Sequence, residues 1–111
     1  MTSQILNKDQ TITDFLAMLG ERFGKDSFDI VDHWDGDLLA VGIARRDNHK
    51  VLAYVSTCGL PDGGYYIELE MPPKIDDDLP FQCVGRQEGI DFEKAATLIA
   101  EHLTLKESYT E

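Results

Sequence analysis

The sequence predicts an α+β fold, a two-layer sandwich in which an N-terminal and a C-terminal helix pack on one face of an antiparallel four- to five-stranded meander. Apolar residues recur every three or four positions near both ends of the chain, as on a helix face, but every second position between 27 and 71, as in strands. The connections between the strands are too short for parallel crossovers. With 111 residues, we expect a single domain over 1–111, frayed at 1–10 and 106–111.

The first helix is predicted over about 12–23, with Thr11 as its N-cap and Gly24 as its C-terminal stop, because glycine adopts left-handed dihedrals without strain. Its apolar stripe consists of Ile12, Phe15, Leu16, Leu19 and Phe23. The last helix is predicted to begin after the cap Asp91, with a stripe of Phe92, Ala95, Ala96, Ile99 and Leu103. Both stripes are expected to be buried against the sheet.

Four strands are predicted between the helices, over 28–34, 38–44, 51–58 and 65–71. Asp35-Gly36-Asp37 favours a tight turn after the first, and the polar residues 45–50 form the second connection. Pro72-Pro73 ends the fourth strand, because proline has no N–H to donate to a ladder. A short fifth strand over 81–86 completes the four- to five-stranded sheet.

The fourth strand alternates most clearly. Tyr66, Glu68 and Glu70 are expected on the open face of the sheet, and the covered face receives Tyr65, Ile67, Leu69 and Met71. The second and third strands carry apolar residues on both faces. Either central strands simply hold a few aliphatic groups there, or terminal segments cover them, or the open face contacts a second copy or another protein.

The charge excludes some partners. Twenty-one acidic and ten basic residues give a net charge of −11, which argues against nucleic acids and anionic membranes, because both attract basic surfaces. The acidity favours a basic protein partner. Residues 61–111 hold twelve acidic and four basic residues, so we expect contacts there, including Asp76, Asp77 and Asp78 in the loop after the fourth strand.

A dense polar cluster surrounds the first turn, at Asp32, His33, Trp34, Asp35 and Asp37. Carboxylates so spaced suit Ca²⁺, but with Asp35 as first ligand the closing position of an EF-hand loop is occupied by an arginine. A charged turn explains the cluster without a metal, and no metal or cofactor is predicted. Trp34 is expected to pack near a strand end, and it joins Asp35 and Asp37 as a candidate partner contact.

No catalytic residue is predicted. Ser56-Thr57-Cys58 lacks the glycines of a nucleophile elbow, and the glycines after it do not form a phosphate-binding loop. Cys58 and Cys83 have no partners at metal-ligand spacing, so we expect buried reduced thiols, with a disulfide between them as the alternative. The first residues do not form a secretory signal, and we expect a cytoplasmic location.

Three segments carry a resemblance: Asp32 to Leu38, Tyr54 to Thr57, and Gly64 to Glu70. Over residues 28–71 the chain resembles the small acidic immunity proteins of bacterial polymorphic toxin and contact-dependent inhibition systems. The resemblance implies a non-catalytic protein that binds and neutralises a cognate toxin, often a basic nuclease.

The leading hypothesis is therefore a protein-binding module whose contacts include Tyr66, Glu68 and Glu70. One alternative is a homo-oligomeric structural or regulatory domain, such as a homodimer that pairs through its open sheet face. The other is a small enzyme or ligand-binding domain.

Overall fold

The computed structural model describes residues 8–31, 38–57, 64–73 and 81–106. Its elements are α1 (Gln10–Phe23), β1 (Asp29–Val31), β2 (Ala40–Arg45), β3 (Asn48–Ser56), β4 (Tyr65–Met71), β5 (Gln82–Ile90) and α2 (Phe92–Leu103). The five strands form one antiparallel sheet in the order β1-β2-β3-β4-β5. The α+β fold, with a helix at each end of a meander, is therefore confirmed.

α1 begins two residues before the predicted start, because its N-cap is Asp9 and not Thr11. The Asp9 carboxylate accepts hydrogen bonds from the Thr11 backbone N–H at 3.0 Å and from the Thr11 hydroxyl at 2.6 Å. At the other end, Gly24 has a φ of 95° and donates its N–H to the Gly20 carbonyl at 2.8 Å. Gly24 thus ends the helix as predicted, in a conformation that a side chain would strain.

Two strand boundaries differ most from prediction. β3 begins at Asn48 inside the expected 45–50 connection, because Arg45 pairs with Asn48 across a two-residue turn. β5 extends to Ile90, beyond the expected 81–86. Two register shifts interrupt its pairing with β4, and Gly89 takes a φ of 70° there, so its polar residues do not alternate regularly.

The main core lies between the helices and one face of the sheet. The Phe15 ring packs on Tyr65 at 4.7 Å and on Phe92 at 5.5 Å between ring centroids, which joins both helices to β4. Arg22 of α1 forms two hydrogen bonds to the Glu93 carboxylate of α2, at 2.7 and 3.1 Å. The predicted helix stripes and the predicted covered face of β4 all lie in or against this core.

The opposite face of the sheet, here called the open face, has a smaller apolar cluster. Val31, Ala44 and Leu52 are buried on it, and Tyr54 packs against them. The aliphatic groups of the central strands are therefore inaccessible and do not form an exposed patch. In the described part of the chain, neither helix is long and apolar enough to span a membrane.

Candidate functional site

The open face carries the described residues of the predicted contact set. Tyr66, Glu68 and Glu70 pair across the ladder with Ser56, Tyr54 and Leu52, all on the face opposite the helices. The alternation predicted for β4 is confirmed. The three side chains are partly buried, not fully exposed. Each therefore leaves only part of its surface accessible.

Two tyrosines meet on this face. The Tyr54 and Tyr66 rings have centroids 6.0 Å apart and an interplanar angle of 76°, the edge-to-face arrangement that aromatic pairs prefer. They come from neighbouring strands and from ladder positions that are diagonal to each other. Their contact restricts the orientations of both rings.

A hydrogen bond fixes the outer end of Tyr66. Its hydroxyl donates to Glu68 Oε2 at 2.6 Å, and Arg86 Nε on β5 lies 3.7 Å from the same oxygen. The bond to the carboxylate holds the phenolic proton and raises the pKa of Tyr66 to about 12. Tyr54, Tyr66, Glu68 and Arg86 form the group here called the tyrosine strip.

Tyr54 and Arg86 were not among the predicted contact residues. The alternation of β4 shows that Tyr66 and Glu68 share a face, but only the strand register brings Tyr54 opposite Glu68. Arg86 is placed opposite Glu68 by β5, whose bulges hide its alternation in the sequence. The missing signal was therefore the pairing register, which no local pattern contains.

Six predicted contact residues lie outside the described residues, namely Trp34, Asp35, Asp37, Asp76, Asp77 and Asp78. The same is true of Asp32, His33 and Cys58. Their expected roles stay predictions.

The prediction that Cys83 is a buried thiol is wrong. Cys83 is exposed and free, with its Sγ 3.5 Å from the Gly85 carbonyl, so it forms no disulfide with Cys58. The reason is its place in the fold. It lies opposite Glu70 on the edge strand β5 and on the open face, where no described helix covers it.

The histidines that the structure describes are engaged separately. His49 Nε2 lies 2.7 Å from Asp29 Oδ2, and His102 Nε2 lies 2.8 Å from the Glu70 carbonyl oxygen. Among the described residues, no three His, Cys, Asp or Glu side chains are grouped to hold a metal ion. The tyrosine strip offers aromatic surface, one oriented carboxylate and one guanidinium.

In comparisons with protein-family models, curated proteins and solved structures, nothing matched the chain.

Proposed function

We propose that this protein is a non-enzymatic binding module that captures a basic protein through its open face. In its most concrete form it is an immunity-type protein that neutralises a basic toxin domain in the bacterial cytoplasm. The observation that carries the proposal is the tyrosine strip, in which two aromatic rings and a carboxylate are already ordered on the face opposite the helices.

The aromatic pair supports tight contact. Tyrosine is enriched among the residues that dominate binding energy, because it offers a large apolar ring and a polar tip. The ring contact with Tyr54 and the hydrogen bond to Glu68 already limit the rotamers of Tyr66. A partner that covers the ring therefore loses less side-chain entropy on binding than it would with a mobile tyrosine.

The charge supports a basic partner. The net charge of −11 attracts a cationic protein over several ångströms and raises the association rate at low salt. On the open face, Glu68 and Glu70 are two residues apart on β4, and Arg86 lies opposite Glu68 on β5. The loop acids Asp76, Asp77 and Asp78 are proposed to extend this acidic surface.

The test uses a purified basic toxin domain encoded beside this gene, with its association and dissociation measured by biolayer interferometry. Tyr66→Ala should raise the dissociation rate about 30-fold, the equivalent of about 2 kcal/mol at an interface hot spot. Glu70→Lys should lower the association rate, and raising the salt from about 0.05 to 0.5 M should lower it for the unaltered protein.

Glu21→Lys is the matched control, because it makes the same charge change on the exposed side of α1. It should slow association much less than Glu70→Lys. Equal slowing by both variants, or an unchanged dissociation rate for Tyr66→Ala, would contradict binding at the open face. Light scattering tests the alternative: a dimer that Tyr66→Ala dissociates would indicate that the face pairs with a second copy.

A further inference from the structure

A cleft of about 470 Å³ lies between the first turns of α1 and the end of the sheet at which β3 stops and β4 begins. This volume falls in the range of small-molecule sites. The described residues with polar side chains that line it are Asp9, Thr11, Asp14, Thr57 and Tyr65. The cleft lies on the helix side of the sheet and is separate from the tyrosine strip.

Tyr65 is the feature that points to a ligand. The residue is only 9% exposed, and its ring is fixed against Phe15. Its hydroxyl has no hydrogen-bond partner within the described part of the chain and is not enclosed by the protein, so a ligand that enters the cleft can reach it. Burial and the nearby negative charge of Asp14 raise the pKa of Tyr65, so the hydroxyl keeps its proton and its oxygen can still accept a hydrogen bond.

The cleft is negatively charged. Asp9 accepts two hydrogen bonds from Thr11, and these lower the pKa of its carboxyl group and keep it ionised. Asp14 accepts one hydrogen bond from the Gln10 side chain, at 2.7 Å. No lysine or arginine is among the described residues that line the cleft. An anion would therefore be repelled there, and a cation would be attracted.

The remaining walls are apolar. Ala17 and Met18 of α1 and Leu39 before β2 complete the lining, and Met18 is 38% exposed. An unbranched aliphatic chain can lie on these side chains while its charged end reaches the carboxylates, as the stems of lysine and arginine do on protein surfaces.

We propose that this cleft binds an alkyl cation, an alkylammonium or alkylguanidinium group whose chain lies on Met18 and whose charged end contacts Asp14 and the Tyr65 hydroxyl. The group belongs either to a free small amine or to a lysine or arginine side chain of another protein. The inference does not depend on the proposed function, because the tyrosine strip contributes nothing to the cleft.

The experiment follows backbone amide shifts of the labelled full chain by NMR during titration with cadaverine, agmatine and a capped tripeptide with a central lysine. Cations should give saturable shifts at Thr11, Asp14, Thr57, Gly64 and Tyr65. The neutral analogue 1-pentanol and the anion pentanoate should not. Saturation by the free amines alone identifies a small-amine site, and saturation by the peptide as well identifies a side-chain site.

Two variants keep the shape of the cleft. Asp14→Asn removes one charge and retains an acceptor for Gln10, so it should weaken cadaverine binding about fivefold, as expected for a partly exposed ion pair. Tyr65→Phe keeps the buried ring but removes the hydroxyl, and it should weaken cadaverine binding about threefold. Glu21→Gln on the same helix is the control and should change nothing.

The proposal is overturned if no cation gives saturable shifts at the cleft, or if 1-pentanol shifts the same amides as strongly. If Glu21→Gln and Asp14→Asn weakened cadaverine binding equally, the proposal would also be overturned. The cation would then be attracted by the net charge of the protein and not by the cleft. Well-dispersed spectra of each variant establish that the fold is intact before binding is compared.

Discussion

The two faces of the sheet at β3 and β4 are stabilised by different kinds of interaction. On the covered face, Val55 and Ile67 pair across the ladder and are fully buried against the helices. On the open face, Tyr66 is held by a ring contact and a hydrogen bond, and it remains partly accessible. The covered face depends on shape and apolar area, whereas the open face combines a small apolar cluster with directed contacts between a few side chains. A partly exposed residue of the open face, such as Tyr66, is therefore expected to stabilise the fold less than a residue of the covered face does.

Ile67→Ala should have the largest effect, because it leaves a cavity in the main core. We expect the free energy of unfolding to fall by about 2–5 kcal/mol in urea denaturation. Val84→Ala is the control, since Val84 is 52% exposed on β5 and should change stability by less than about 0.5 kcal/mol. Similar losses for both variants would mean that the covered face is not the main core.

Leu52→Ala tests how much the smaller apolar cluster on the open face contributes to the free energy of unfolding. Leu52 is 3% exposed, and among the described residues it packs in a small cluster with Val31, Ala44 and Tyr54, so the loss should lie near the lower limit, at about 2 kcal/mol. The same urea denaturation measures it. A loss below about 0.5 kcal/mol would show that this side chain is not buried in solution.

Tyr66→Phe should lower the unfolding free energy by about 1 kcal/mol, because it removes the hydrogen bond to Glu68. A double-mutant cycle with Glu68→Gln isolates the pair. If the two single changes add without any interaction energy, the hydrogen bond contributes nothing.

The contribution of Tyr66 also depends on pH. Its pKa is about 12 in the folded protein, above the value of about 10 expected in the unfolded chain. The stabilisation is thus fully present below about pH 10 and is lost as the pH rises through 12. The difference between the unaltered protein and Tyr66→Phe should shrink from about pH 8 to pH 11.5, and a constant difference would contradict the assignment.

Cys83→Ser should have the smallest effect, within about 0.5 kcal/mol, because the side chain is exposed on the edge strand. A thiol reagent should label Cys83 in the folded protein at nearly the rate seen after denaturation. Mass spectrometry of the labelled peptides distinguishes it from Cys58. Slow labelling of Cys83 in native buffer would show that this part of the open face is covered.

Local patterns predicted the elements and their layered arrangement, but not the register between the strands. The cap of α2 followed from Asp91, whose side chain accepts from the Lys94 N–H at 2.9 Å as expected for an N-cap. At α1, Asp9 and Thr11 are both suitable caps. Asp9 is also held by its own N–H, which donates to the Leu38 carbonyl at 2.9 Å, a contact between distant segments. The same limit applies to Tyr54 and Arg86, because a site built across strands depends on the register.

The sequential strand order has a consequence for how the chain folds. Every strand pairs with its neighbour in sequence, so each hairpin closes a short loop and contact order within the sheet is low. The helices, in contrast, belong to opposite ends of the chain and meet through Phe15 with Phe92 and Arg22 with Glu93. During synthesis from the N-terminus, α1 therefore meets α2 only after all five strands of the sheet have been made.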